Sequence, residues 1–141
     1  MAITLNTGRQ EVISAKVSFK LADLTSGTAV PAIQLPANAR IVDALLRIET
    51  AFNSGTTDAL VVQSNEGTPK AYITVAAAST SLPASLVSKG AVGASSNIGF
   101  LNPVQSTVDI KWTGAGTAAT TGTGILEVEY VVENRTAFSQ G

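Results

Sequence analysis

The chain has 141 residues, with nine Lys+Arg against ten Asp+Glu and neither His nor Cys, for a formal charge of −1. That inventory excludes thiolate and imidazole catalysis, nitrogen- or sulfur-ligated metals and disulfides, and it lacks the basic excess of a nucleic-acid binder. Only 13% of residues are charged, about half the ~25% of an average globular protein. Ala, Thr, Ser and Gly fill 63 positions, and the 45% hydrophobic content is the reverse of a disordered composition.

The length predicts one domain with a real core. Met1–Gln10 precedes the first regular pattern and has neither a basic leader nor a long apolar stretch, so no signal peptide is expected. No apolar run approaches the ~20 residues of a membrane helix, and no membrane association is expected. Ile13, Ala15, Val17, Phe19 and Leu21 then alternate with Ser14, Lys16, Ser18 and Lys20, the period of a strand with one apolar and one polar face. Ala29–Leu35 reads as a strand in which Pro31 marks an edge or a bulge.

Residues 36–52 carry two periods at once. As a helix they offer Asn38 as a cap and a stripe of Ile41, Leu45, Ile48 and Phe52. As a strand they place Val42, Ala44, Leu46, Ile48, Thr50 and Phe52 on one face, with Asp43, Arg47 and Glu49 on the other. Propensity favours the helix, but strands surround the segment and Asn53-Ser54-Gly55 supplies a turn into the apolar run 58–63, so strand is the assignment. Tyr72–Val75 and Asn97–Leu101 are further strands. Residues 76–89 are the one place for a short helical turn, near 82–90, with Pro83 at its start and Gly90 as its stop.

Thr107–Trp112 alternates again, and a stretch of four glycines and five threonines, residues 113–124, follows as a mobile loop. Leu126, Val128, Tyr130 and Val132 alternate with Glu127, Glu129, Val131 and Glu133. Residues 107–133 thus read as a long-looped hairpin, and a loop of that length is often a contact surface. If the first and last strands were neighbours, their lysines and glutamates could pair across the ladder. The commoner arrangement is two solvated faces with unrelated partners. Some eight strands separated by turns describe an all-β chain, an antiparallel β-sandwich of jelly-roll type. The domain spans 11–133, between an N-terminal arm, 1–10, and a C-terminal tail, 134–141.

Motifs for chemistry are absent or weak. Lys89-Gly90 is in the wrong order for a phosphate loop, and Gly93-Ala94-Ser95-Ser96-Asn97 lacks the second glycine of a serine-hydrolase elbow. Ser88 and Lys89, adjacent on a strand, point to opposite faces. Glu127 and Glu129 lie two strand rises apart, about 7 Å, within the range of a glycosidase pair. Each nonetheless has the spacing of an ordinary surface residue, and aromatic residues that could form a sugar platform are few. No EF-hand loop is present, and the acidic residues are scattered. Asn134-Arg135-Thr136 matches a glycosylation acceptor, which matters only in a eukaryotic secretory pathway. No catalytic, cofactor or metal site is expected. The tails have no core of their own and are most simply ordered by a neighbouring subunit, with Ile3, Leu5, Arg9, Arg135 and Phe138 as the candidate contacts.

The segment Leu35-Pro36-Ala37-Asn38-Ala39-Arg40-Ile41-Val42-Asp43-Ala44-Leu45-Leu46-Arg47-Ile48-Glu49-Thr50-Ala51-Phe52 resembles a strand of small structural proteins of tailed bacteriophages, where a short turn and an apolar strand follow, as in Asn53–Gln63. Residues 124–133 look like the closing strand of such proteins. The resemblance spans about residues 30–63 and 107–135 and carries no catalytic residues. It implies a virion protein, first of all a capsid decoration (cement) protein. Such a protein would be a β-sandwich, commonly a homotrimer, on the outer capsid surface, bridging subunits of the major capsid protein. A tail, fibre or baseplate component, or a glycan-binding virion domain, is the alternative on the same fold, and an enzyme acting through Glu127 and Glu129 is the third.

Overall fold

A computed structural model describes residues 11–75, 87–89, 92–93, 96–99 and 101–133. The strands are β1 (Ile13–Lys20), β2 (Ala29–Leu35), β3 (Ala39–Thr50), β4 (Thr57–Ser64), β5 (Ala71–Val75), β6 (Val87–Lys89), β7 (Val92–Gly93), β8 (Ser96–Asn97), β9 (Leu101–Asn102), β10 (Ser106–Ala115) and β11 (Thr123–Val132). One sheet runs β1-β11-β3, with β6 and β9 pairing different stretches of β3; the other runs β2-β10-β4-β5; β7 and β8 form a small ribbon. All pairings are antiparallel. With β6 and β9 counted as one edge position, the first, eighth, third and sixth positions make one sheet and the second, seventh, fourth and fifth the other. This is the strand order of a jelly roll.

Alternation explains most of the placement. In β1 the odd-numbered residues face inward, ending on the buried Phe19, and the serines and lysines face out. In β4, Asp58, Leu60, Val62 and Ser64 are buried and their neighbours half-buried. The segment with two periods is a strand, and Asn38, the would-be helix cap, sits at φ 65° in the turn before it. Its inward face departs from simple alternation: Ala44, Leu46, Ile48 and Phe52 are buried as expected, but toward the N-terminus Ile41 and Ala39 replace Val42. The cause is a β-bulge. Glu129 faces Asp43 and Tyr130 faces Ile41, so Val42 is the extra residue and the phase inverts around it. Pro31 lies on the edge strand β2, next to a bulge at Ala32, as its missing N–H demands.

Three expectations are corrected. Residues 107–133 are no hairpin, because β10 belongs to one sheet and β11 to the other; residues 116–122 cross between sheets instead. The first and last strands are neighbours rather than unrelated faces, although only Lys16 meets a glutamate, Glu127, in register, while Lys20 faces Thr123 and Glu129 faces Ser14. Within the helical turn expected near 82–90, Val87–Lys89 is a strand on β3, while residues 82–86 and 90 lie outside the described residues. A short 3-10 turn occurs instead at Leu21–Asp23, directly after β1, where the Lys20 amide donates to the Asp23 carboxylate at 3.0 Å. The core between the sheets is built from Ile33, Leu35, Ile41, Leu46, Ile48, Phe52, Leu60, Val62, Val108, Ile110, Leu126 and Val128, all buried.

Candidate functional site

The sandwich has two chemically different ends. At one end β1 finishes, β3 gives way to Phe52, and the Gly/Thr crossing packs over both. That crossing is held in place rather than mobile. Asn53 accepts from the amides of Thr120 and Thr121 at 2.8 and 3.0 Å and donates to the Thr120 hydroxyl at 2.9 Å. The Thr121 hydroxyl donates to the Ala51 carbonyl at 2.8 Å. The Gly55 amide donates to Thr117 O, the Thr56 amide to Ala115 O, and the Leu21 amide to Gly122 O, each at 2.8 Å. Gly116 sits at φ 84°, where a Cβ would also meet the Thr56 backbone N at 2.8 Å, so this position demands glycine twice over.

Beneath the crossing lies a buried polar cluster that the sequence reading overlooked. Asp58 is fully buried and accepts from the Ser54 hydroxyl at 2.6 Å, the Ser54 amide at 3.0 Å and the Trp112 indole N–H at 2.9 Å. The signal was present: Asp58 is in phase with Leu60 and Val62, so the period of β4 already aims it inward. The Trp112 ring, 7% exposed, lies 6.0 Å from that of Phe52, which lies 6.3 Å from Phe19. An indole that is buried and tied through its N–H is no open platform for a sugar ring. Over this cluster opens a cleft of about 410 Å³, lined by Leu21, Leu24, Ser26, Ser54, Trp112, Gly114 and residues 116–119 of the crossing. A smaller groove of about 170 Å³ runs between the edges of β1 and β2, past Val17, Leu24 and Ala32.

Glu127 and Glu129 stand half-buried on the outer face of β11, in the middle of their sheet, and line neither cleft. Glu127 is flanked in register by Lys16 and Leu45, and Glu129 by Ser14 and Asp43. The pair therefore sits on a flat ladder, without the concavity that holds a sugar between two carboxylates. Among the described residues, no group of three acidic side chains is placed to hold a metal ion.

The opposite end is where the chain enters and leaves. Ile13 pairs with Tyr130, the Glu133 amide donates to Asn38 O at 2.8 Å, and Arg40 Nε donates to Glu133 Oε1 at 2.7 Å. Three of the exposed large apolar residues, Val12, Leu101 and Val104, lie on segments that meet here. Ile3, Leu5, Arg9, Arg135 and Phe138 lie outside the described residues, before Glu11 and after Glu133 in the sequence. Also on this side, burial beside the carboxylates of Glu66 and Asp109 pushes the Tyr72 phenol from 10.0 up to about 12. The folded state thus holds that proton more tightly than the unfolded chain. The stability this confers is complete below pH 10 and is lost as pH rises through 10 toward 12. Ultraviolet phenolate titration should show one tyrosine ionising near pH 12 together with unfolding; Tyr72→Phe should remove that component.

No protein-family model and no curated protein matches the sequence. Solved structures do match. A chain of the capsid of Ralstonia phage GP4 superposes with a TM-score of 0.60 at 18% identity, over 96% of this chain and 92% of that one. A chain of the Cyanophage Pam1 capsid asymmetric unit gives 0.59 at 17% identity, over 94% and 91%. A chain of the acidic stable capsid structure of Helicobacter pylori bacteriophage KHP30 gives 0.57 at 15% identity, over 87% and 93%. The likeness is one of fold. It extends over nearly the full length of each pair, so the jelly roll is common to all four chains.

Proposed function

We propose that this chain is a non-enzymatic structural protein of a phage virion, and specifically a capsid decoration protein that bridges subunits of the major capsid protein on the outer surface. The observation that carries the reading is the full-length fold likeness to chains of three phage capsids. The chemistry of the surface supports it. A bridging protein works through summed interface area rather than through a pocket, and small side chains with few charges allow sheet faces to approach a neighbour closely. The end carrying Val12, Leu101 and Val104 is the docking end in this reading. The arms continue from it, with Ile3, Leu5, Arg9, Arg135 and Phe138 contacting capsid or sister subunits in a homotrimer. No cofactor takes part.

Quantitative mass spectrometry of purified virions tests the assignment. A copy number near that of the major capsid protein, or a simple fraction of it, is expected. A handful of copies per particle would move the chain to a tail, fibre or baseplate, and absence from the virion would overturn the proposal. Deleting residues 1–10 or 134–141 should lower affinity for undecorated particles by about tenfold or more, the equivalent of losing one buried Leu-sized contact of roughly 1.5–3 kcal/mol. Unchanged binding by both truncations would remove the arms from the interface.

A further inference from the structure

The two ends of the sandwich are complementary in a way that reaches beyond capsid docking. The cleft at the crossing end is walled by Leu21, Leu24, Ala119 and the edge of Trp112, and it opens to solvent. Its volume of about 410 Å³ is of the size that takes a bulky side chain with the backbone carrying it. The arms continue from the opposite end, beyond Glu11 and Glu133. Residues 134–141 contain one aromatic side chain, Phe138, and one charged side chain, Arg135, whereas residues 1–10 contain no aromatic residue. Beside the cleft, between Leu21 and Leu24, the 3-10 turn presents the exposed Asp23.

Reach decides which cleft Phe138 can occupy. The ten residues of β11 separate Glu133 from the cleft end, a distance of roughly 33 Å at strand rise. Phe138 lies five residues past Glu133, and a fully extended chain of that length spans at most about 17 Å. The tail of a copy cannot fill that copy's own cleft. It can fill a neighbour's.

We infer that the Phe138 segment of one copy docks in the Trp112 cleft of a second copy, with Arg135 available to the Asp23 side of the site. The contact is heterologous, one copy's tail end to the next copy's crossing end, so it generates a ring or an open chain rather than a two-fold dimer. This inference concerns contacts between copies and does not depend on the virion assignment.

Sedimentation equilibrium of the full chain and two full-length variants tests it. Phe138→Ala removes the anchor and leaves the cleft intact; Ala118→Arg obstructs the cleft at an exposed position and leaves the anchor intact. The unaltered chain should self-associate with rising concentration, and each variant alone should do so at least tenfold more weakly. Mixed in equal amounts, the variants should recover a complex of two chains, because one supplies the tail and the other the cleft. Trp112, the single tryptophan, reports independently: its emission should shift on mixing but not in either variant alone. A monomeric unaltered chain, undiminished association of either variant, or a mixture that stays monomeric without a change in emission would each overturn the inference.

Discussion

Asp58→Ala is expected to destabilise the fold by about 3–5 kcal/mol, because three buried donors lose their acceptor together. The carboxylate has no solvent exposure and satisfies three donors: the Ser54 hydroxyl, the Ser54 amide and the Trp112 indole. Its removal takes the acceptor from all three, and a buried donor without an acceptor costs about 1–3 kcal/mol. Ser54 belongs to the link between the sheets and Trp112 to the centre of one of them, so the loss falls on the joint between layers. Asp58→Asn should cost less, because it keeps one acceptor oxygen and the shape of the side chain. Urea denaturation followed by Trp112 emission measures both. A loss under about 1 kcal/mol for Asp58→Ala would mean that water replaces the carboxylate and that the cluster is dispensable.

Phe52→Ala is expected to cost a comparable amount, about 3–5 kcal/mol. Phe52 is fully buried between the rings of Phe19 and Trp112, and the two tilted ring contacts add to the cavity cost. The substitution has a second consequence. The crossing rests on this ring: a Cβ on Gly122 would fall 2.6 Å from Phe52 Cε2, so the glycine exists to let backbone lie against the aromatic face. With the ring gone, the amides of Leu21, Thr120 and Thr121 should exchange with solvent faster than those of β4, and hydrogen exchange can read that difference. Uniform acceleration would mean that Phe52 acts on the whole core rather than on the crossing.

How legible these features were depended on whether the period of the chain stayed constant. β1 keeps strict alternation against β11 with no register shift, and its apolar and polar faces were read correctly from Ile13 to Phe19. β3 does not. The extra residue at Val42 reverses the faces, and nothing in the local sequence marks a bulge of this kind, so simple alternation puts Val42 on the inward face that Ile41 occupies. Sheet membership was similarly hidden. Strands 107–112 and 126–133 look like hairpin partners because they are consecutive, yet this fold sends them to opposite layers, and that choice is fixed by contacts distant in sequence. The Asp58 cluster was legible in part. An acid in phase with Leu60 and Val62 asks for a buried partner, but only the folded chain brings Trp112 and Ser54 to it.

One feature of the topology bears on how the molecule is made. Two of the interior strands, β11 between β1 and β3 and β10 between β2 and β4, come last in sequence order. Synthesis delivers a chain from its N-terminus at about 5–20 residues per second, so β1 to β4 emerge while β10 and β11, which must join β2 to β4 and β1 to β3, do not yet exist. Neither layer can close early, and the nascent chain must wait with apolar strand faces uncovered until residues 106–132 are translated. Production should therefore depend on temperature and on holding chaperones more than that of a fold built from local hairpins, and a message truncated before β10 should yield aggregate instead of a partly folded domain.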